Sequence, residues 1–398
     1  MKIGIYGGTF NPPHNGHITA ARAAAAKLGL DKLLLIPDKI PPHKELPAGS
    51  ANEHQRYEMV KLAAGSIGKL TEVSNMELKR QGKSYTSDTL RDLRKLYPDD
   101  ELYLLMGSDM FLSFQTWHEP ESICQLAHIC AFSRLKDGEQ ESFAAQKTFL
   151  EQEYGAKVDI IVNDHVIELS STDVREAFRT EAGKDLTPLA VWGYIQREHL
   201  YGTHTDLKQL TPDELRPIAL SYLKPKRMPH VLGTELEAVK LARMYGVDET
   251  KARVAALLHD CTKKLEMDEQ LALCREYGIE LDELEQKALK LLHSRTGAEL
   301  ARRVFGVDDE VYDAIRWHTT GRANMTKLEK ILYLADYIEP SRDFDDVEPL
   351  RKVVYEDLDK GLLLGLQMTV DEMKAMGNPV HHNTLDARNY LIETGVTL

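Results

Sequence analysis

Cysteine is scarce in this chain of 398 residues, and its four copies (Cys124, Cys130, Cys261, Cys274) form no C-x-x-C pair. They read as reduced thiols of a cytoplasmic protein and exclude a disulfide framework. Long apolar runs are missing as well: none approaches the ~20 residues that cross a bilayer. The N-terminus lacks the basic segment and apolar core of a secretion signal. A soluble protein with no membrane partner is therefore expected. Positive charge is in deficit, with 50 Lys and Arg against 63 Asp and Glu, a formal net charge of -13. That argues against a surface that coats nucleic acid. Any phosphate site must then be a local basic pocket on an acidic body. No internal repeat or low-complexity tract is present, and beyond Thr234 no convincing strand appears.

The length suits two or three domains, and 42% hydrophobic with 28% charged residues is ordinary for a globular protein. Up to about residue 200, short apolar runs alternate with helical patterns. The strands expected are Ile3–Tyr6, Lys32–Ile36, Leu102–Met106, His128–Phe132 and Val158–Val162. Helices are expected over Ala20–Leu28, Asn52–Ala64, Thr86–Leu96 and Asp173–Arg179. Such alternation predicts an α/β, Rossmann-like domain: a parallel sheet with helices on both faces and ligands beyond the carboxyl ends of the strands. Thr203–Asp206 is a polar break, and Pro212, Pro217, Pro225 and Pro229 follow it. The boundary therefore falls near 201–206, giving domains of 1–202 and 206–398, the second all-α. Thr234 with Glu237, and Thr326 with Glu329, read as capping boxes; Gly246 and Gly306 read as helix ends.

Within the first domain, IGIYGGTFNPPHNGH (Ile3–His17) carries the strongest chemistry. Gly7 and Gly8 let the backbone turn close to a phosphate. His14 and His17 bracket Gly16 where a helix begins, and a helix start favours an anion. The plainer reading is a glycine turn with capping histidines. GGTFNPPHNGH, however, resembles the signature of the HxGH nucleotidyltransferases, and LSSTDVR (Leu169–Arg175) resembles that family's second signature. The nearest likeness is the nicotinate-nucleotide adenylyltransferase branch. PPHK (Pro41–Lys44), SYTSDTL (Ser84–Leu90) and Trp117 separate it from pantetheine-phosphate adenylyltransferases, which share the first two motifs.

The resemblance implies AMP transfer from ATP to nicotinate mononucleotide, with Mg²⁺ bridging the triphosphate. It gives His14 and His17 the catalytic role, and it gives ATP to Gly7, Gly8, Thr9, Phe10, Gly107, Asp109, Ser170, Ser171, Thr172 and Arg175. Lys44, Tyr85, Thr86 and Trp117 would hold the pyridine nucleotide. Asn11 departs from the Asp that many relatives carry after GGTF.

In the second half, His230, His259-Asp260, His293, His318 and Asp336 follow the order H…HD…H…H…D of the HD-domain phosphohydrolases. Adjacent helical residues point about 100° apart, so His259 can bind one metal while Asp260 leans to a second and bridges both. Imidazole with carboxylate suits iron or manganese. HVLGT, AALLHDCTK, IRWHTTGR, NMTKLEKILYLADYIEP and NTLDARNYL resemble the branch that splits diadenosine tetraphosphate symmetrically into two ADP. Cys261 and Thr262 depart from that branch's Tyr-Ala. The resemblance implies a two-metal hydrolase with Asp260 as bridging ligand and Lys263 and Arg322 on the substrate phosphates. His43, His54, His128, His199, His381 and His382 carry no assigned role. Two alternatives stay open: a non-catalytic nucleotide sensor controlling the first domain, and a phosphohydrolase of another nucleotide. A homo-oligomer is compatible with either.

Overall fold

The computed structural model describes residues 1–42, 45–133, 139–162, 169–178 and 181–398. It divides into two compact units, Met1–His204 and Thr205–Leu398.

The first unit alternates strands and helices. The strands are β1 (Lys2–Gly8), β2 (Lys32–Pro37), β3 (Thr71–Val73), β4 (Glu101–Met106), β5 (His128–Ser133) and β6 (Val158–Val162). They form one parallel sheet in the order β3-β2-β1-β4-β5-β6, with Ile3 opposite Lys32 on one side and Leu102 on the other. Chain order reverses between β1 and β4, so the carboxyl ends of these two strands flank the crevice where such sheets bind ligands. The helices are α1 (Asn15–Leu28), α2 (Glu53–Ile67), α3 (Thr86–Leu96), α4 (Ser108–Leu112), α5 (Pro120–Leu126), α6 (Glu139–Tyr154), α7 (Ser171–Ala177) and α8 (Leu189–Arg197).

Period-two alternation inside apolar strands sets the two cores. Ile3, Ile5, Leu34, Ile36, Leu102 and Leu104 point to the face covered by α3 to α6. Leu33, Leu35, Tyr103, Leu105, Cys130 and Phe132 point to the face covered by α1 and α2. Both faces are buried, which is why the strands read as continuous apolar runs. A methyl group on Gly4 would run into Leu30, so glycine lets the connection from α1 pack against β1.

Three differences from the sequence pattern stand out. The edge strand β3 is three residues of mixed polarity and offers no run to detect. The helices α4, α5, α6 and α8 went unpredicted. The helix expected to open at Thr234 begins six residues earlier. Pro229 sits in its first turn, where a missing N–H costs nothing, and Thr234 Oγ donates back to the His230 carbonyl at 2.9 Å.

The second unit is helical: α9 (Pro212–Ser221), α10 (Met228–Tyr245), α11 (Glu249–Leu258), α12 (Met267–Tyr277), α13 (Leu289–Leu300), α14 (Asp309–Trp317), α15 (Lys327–Ile338), α16 (Val347–Glu356), α17 (Leu358–Ala375) and α18 (His382–Glu393). Its core joins Ala238, Leu241, Ala255, Leu258, Ile315, Ile331 and Leu334 with neighbours from six further helices or turns. Gly246 ends α10 and Gly306 ends the turn after α13, both left-handed as a helix stop requires. Thr326 caps α15 by accepting the Glu329 N–H. Among the described residues no helix is long and apolar enough to cross a membrane.

Candidate active sites

At the carboxyl end of β1, Gly7 and Gly8 lead into a loop built by buried polar groups. Thr9 Oγ donates to Asp38 at 2.9 Å. The fully buried Arg56 of α2 reaches the Thr9 carbonyl at 2.7 Å, Asp38 at 2.9 Å and the Lys39 carbonyl at 3.0 Å. An arginine holding three groups in low dielectric fixes the loop firmly. Phe10 adopts φ 47° and packs on His17, 5.0 Å between ring centroids.

His14 caps α1, and His17 lies one turn on with ring centroids 3.8 Å apart. The His14 N–H donates to His17 Nδ1 at 3.2 Å, which leaves the His17 proton on Nε2. Burial pushes the His14 imidazole down to about 4, so it is neutral near pH 7, and its Nδ1 is buried without a partner. The second signature is tied to this loop across 159 to 164 residues. Ser171 Oγ donates to the Pro12 carbonyl at 3.2 Å and Arg175 to the Asn11 carbonyl at 2.7 Å. Arg175 also holds Thr172 at 3.0 Å, while Ser170 caps α7 and is paired with Asp173.

Asn11 donates to Ser50 at 2.8 Å and accepts from the Tyr201 hydroxyl at 2.7 Å. An aspartate could accept from both hydroxyls, so these two bonds do not by themselves require asparagine. Gly107 caps α4 at the carboxyl end of β4, and Asp109 is exposed in its first turn. Tyr85 and Thr86 stand at the start of α3, whose cap makes no side-chain hydrogen bond. Tyr85 stacks near His118 at 4.3 Å, and the half-buried Trp117 lies 5.2 Å from Phe114. Lys44 and His43 fall outside the described residues.

In the second unit, five helices bring His230, His259, Asp260, His293, His318 and Asp336 together. His230 lies inside α10. His259-Asp260 follow α11, His293 lies on α13, His318 follows α14, and Asp336 lies on α15. His259 and His318 each place Nδ1 2.6 Å from the carbonyl three residues back, Ala256 and Ile315. A donating Nδ1–H leaves Nε2 as a lone pair, and both Nε2 atoms face inward. His230 does the same through the buried Glu339, 3.0 Å from its Nδ1. Gly233 makes this possible, because a methyl group there would occupy the Glu339 carboxylate position.

The two Asp260 oxygens face different histidines. Oδ2 lies 3.4 Å from His259 Nε2 and 3.9 Å from His230 Nε2, whereas Oδ1 lies 3.4 Å from His293 Nε2. His293 and His318 approach to 3.1 Å through Nε2, and Asp336 Oδ1 lies 2.9 Å from His230 and 3.8 Å from His259. Burial opposes ionisation of both aspartates, yet the imidazoles around them hold both well below the usual carboxylate range. Burial is the main cause that pushes His318 well below the usual imidazole range. His259 Nε2 and Asp260 Oδ1 are buried without a well-formed hydrogen bond. Inward lone pairs and converging carboxylates fit a divalent metal ion, and Asp260 belongs to more than one of the candidate ligand groups.

Thr262 Oγ donates to the His293 carbonyl at 2.9 Å and so helps seat α13, while Cys261 lies in the core. Lys263 Nζ stands 3.1 Å from Asp260. Arg322 forks onto the buried Glu329 at 2.8 and 2.7 Å, and would have to release it to reach a phosphate. A further group, Asp282, His381 and His382, shares no residue with the six. His381 Nδ1 accepts the Asn383 N–H, so its Nε2 carries the proton toward Asp282: the tautomer of a helix cap, not of a metal ligand.

Four of the residues that build these sites (Arg56, Tyr201, Glu339 and Gly233) escape the sequence reading. Each acts through a partner distant in the chain, and only the IEP following LAD hints at Glu339.

The cytidylyltransferase-like family model matches residues 5–177, and the HD domain model matches residues 227–341. A Mycoplasma genitalium protein named "Probable nicotinate-nucleotide adenylyltransferase/Ap4A hydrolase" is 30% identical over 384 residues, 94% of this chain and 99% of the relative. A Dictyoglomus thermophilum protein named "Probable nicotinate-nucleotide adenylyltransferase" is 41% identical over 202 residues, 50% of this chain and 100% of the relative. A solved Clostridium acetobutylicum structure, described as an HD superfamily hydrolase involved in NAD metabolism, is 44% identical. It covers 47% of this chain and 99% of its own, with a TM-score of 0.45.

Proposed function

Because this chain belongs to the family that joins a nicotinate-nucleotide adenylyltransferase to an HD-domain hydrolase, we propose a bifunctional enzyme. Its first unit transfers AMP from ATP to nicotinate mononucleotide, giving nicotinate adenine dinucleotide and pyrophosphate. Its second hydrolyses diadenosine tetraphosphate symmetrically to two ADP.

In the first reaction a phosphate oxygen of the mononucleotide attacks the α-phosphorus of ATP, and the bond to the β-phosphate oxygen breaks. The nucleophile is already ionised, so the work is positioning and charge stabilisation. A neutral His17 donates through Nε2 to the transferred phosphoryl group, with His14 beside it. Gly7, Gly8, Thr9 and Phe10 hold the turn against the phosphates, while Ser170, Ser171, Thr172 and Arg175 close it from the second signature. Gly107 and Asp109 meet the nucleoside. ATP brings its Mg²⁺, and no group of the chain is assigned to that ion.

The pyridine carboxylate lies at the start of α3, by Tyr85 and Thr86, with Trp117 on the ring and Lys44 on the phosphate. A helix start favours an anion, so nicotinate gains more there than neutral nicotinamide. The observation that carries this half is the His14–His17 pair, which follows a loop tied at Asn11 and Pro12 by contacts from residues 171, 175 and 201. The test is kcat/KM with the nicotinate and nicotinamide mononucleotides; equal values would refute the acceptor assignment.

For the second half, the carrying observation is that the two Asp260 oxygens face separate histidines. His230, His259, His293, His318 and Asp336 would complete the ligand set, with Asp260 shared between the ions. Two divalent ions bound there, iron or manganese by ligand type, would acidify a water and draw charge from the phosphates. Asp260 keeps the ligands in register, and Lys263 neutralises a flanking phosphate. Arg322 is the second flanking candidate. Chromatography of the products of diadenosine tetraphosphate decides symmetry. Two ADP support it, and ATP with AMP refutes it.

A further inference from the structure

Between β3 and α3 a carboxylic acid is buried where none of the motifs accounts for it. Glu77 lies on neither a strand nor a helix, and its Oε1 accepts the hydroxyl of the buried Thr89 at 2.7 Å. Thr89, the fourth residue of α3, belongs to SYTSDTL but has no part in the reaction as described above. Its Oγ accepts from Arg80 at 3.0 Å, and Arg80 also pairs with Asp92, farther along α3, at 2.7 Å. On the other side of the helix start, the Ser84 hydroxyl bonds to Glu77 as well. That hydroxyl accepts the Lys39 N–H at 3.1 Å, and the Ser84 N–H donates to the Ile40 carbonyl at 3.1 Å. One carboxylate thus joins the approach to α3 with its first turn, and the approach hangs on the loop after β2. Burial pushes the Glu77 carboxyl up to about 7, against the pull of the Thr89 and Ser84 hydroxyls. An acid placed where ionisation is that costly points to a working position.

We infer that Glu77 is a positioning residue for the acceptor: by holding Ser84 and Thr89 on either side of Tyr85 and Thr86, it aims the start of α3 at the pyridine carboxylate. The inference rests on the adenylyltransferase reading. The cap of α3 makes no side-chain hydrogen bond, so the helix start takes its direction from these flanking ties. Hydrogen bonds weaken steeply once donor and acceptor fall out of line, so N–H groups that receive an anion must be aimed. Nicotinate gains more from a helix start than neutral nicotinamide does, and loses more when that start is mis-set. The β1 loop keeps its own ties through Arg56 and Asp38, so ATP should bind as before.

The test uses the full chain with Glu77→Ala, Glu77→Gln, Thr89→Val and Thr89→Ser. Steady-state adenylyl transfer is measured with MgATP and each of the two mononucleotides, after far-UV circular dichroism of every variant. Glu77→Ala and Thr89→Val should raise KM for nicotinate mononucleotide roughly tenfold, keep KM for ATP within about twofold, and narrow the preference for nicotinate over nicotinamide. Thr89→Ser, which keeps the hydroxyl, should stay near the parent. Glu77→Gln, which keeps one acceptor oxygen for Thr89, should lose less than Glu77→Ala. A general loosening of the unit would instead raise both KM values and leave the preference intact. That result, or an unchanged KM for nicotinate mononucleotide in both Glu77→Ala and Thr89→Val, would overturn the inference. Should Glu77→Ala fail to fold, the contrast between Thr89→Val and Thr89→Ser decides alone. A parent chain with no preference for nicotinate would sink the acceptor reading and this inference together, whereas a preference that survives in every variant sinks the inference only.

Discussion

Glu339→Gln is the most discriminating small change this chain offers, because it alters one charge and almost no volume. The Glu339 carboxylate is buried and has every oxygen in use. Oε1 meets His230 Nδ1 at 3.0 Å and accepts the Ser341 hydroxyl, and Oε2 accepts the Ser341 N–H at 2.7 Å. Glutamine has one acceptor oxygen where glutamate has two. If its NH₂ turns to Ser341, two donors meet in a buried place, which costs about 1–3 kcal/mol. If its NH₂ turns to His230, Nδ1 must accept, the ring proton moves to Nε2, and the inward lone pair is lost. Either way the metal site weakens, by the tenfold to hundredfold typical of such supporting carboxylates, or roughly 1.4–2.8 kcal/mol. The assay is metal retained per chain after dialysis against graded chelator, with adenylyl transfer on the same samples as internal control. Adenylyl transfer should be unchanged. Metal retention indistinguishable from the parent protein would refute the claim that Glu339 sets the His230 tautomer.

Three further outcomes are expected. His17→Ala should lower kcat for adenylyl transfer by roughly two to three orders of magnitude and leave hydrolysis intact; near-normal transfer would make the histidine pair a mere helix cap. Asp260→Ala should release metal and reduce tetraphosphate hydrolysis to background while far-UV circular dichroism and adenylyl transfer persist; full hydrolysis at full metal content would end the bridging argument. Burial holds folded His14 near 4 against an ordinary 6.5, so between these values the unfolded chain binds the extra proton. Stability should therefore be flat above pH 6.5 and fall as pH drops toward 4, by on the order of 3 kcal/mol from this group. Urea melts at several pH values should show a shallower fall for His14→Gln, and an equal fall would place the proton uptake elsewhere.

Much of the fold was legible because burial on both faces turns strands such as Lys32–Pro37 into plain apolar runs. The helix from Thr86 was equally clear, with its apolar residues confined to one stripe. What escaped was local weakness or distant compensation. The edge strand Thr71–Val73 is too short for a pattern, and α6 has no sharply apolar face. Thr234 and Glu237 have capping-box spacing, yet Pro229 starts that helix earlier, and spacing cannot rank two start signals. In the second site the six ligand-type residues could be read in order along the chain. Their tautomers could not, because these depend on the Ala256 and Ile315 carbonyls and on Glu339.

The ties from Ser171, Arg175 and Tyr201 back to residues 11 and 12 also bear on how the protein is made. On a ribosome, all six strands have been synthesised by Val162, so the sheet can assemble while the partners of the β1 loop are still unmade. At about 5–20 residues per second, Tyr201 follows His17 by on the order of tens of seconds. A nascent chain thus passes through a period with its sheet in place and its β1 loop only half fastened. Truncations ending near residue 165 should accordingly hold secondary structure yet transfer no AMP. The loop after β1 is among the first parts of the protein to be translated and among the last to be secured.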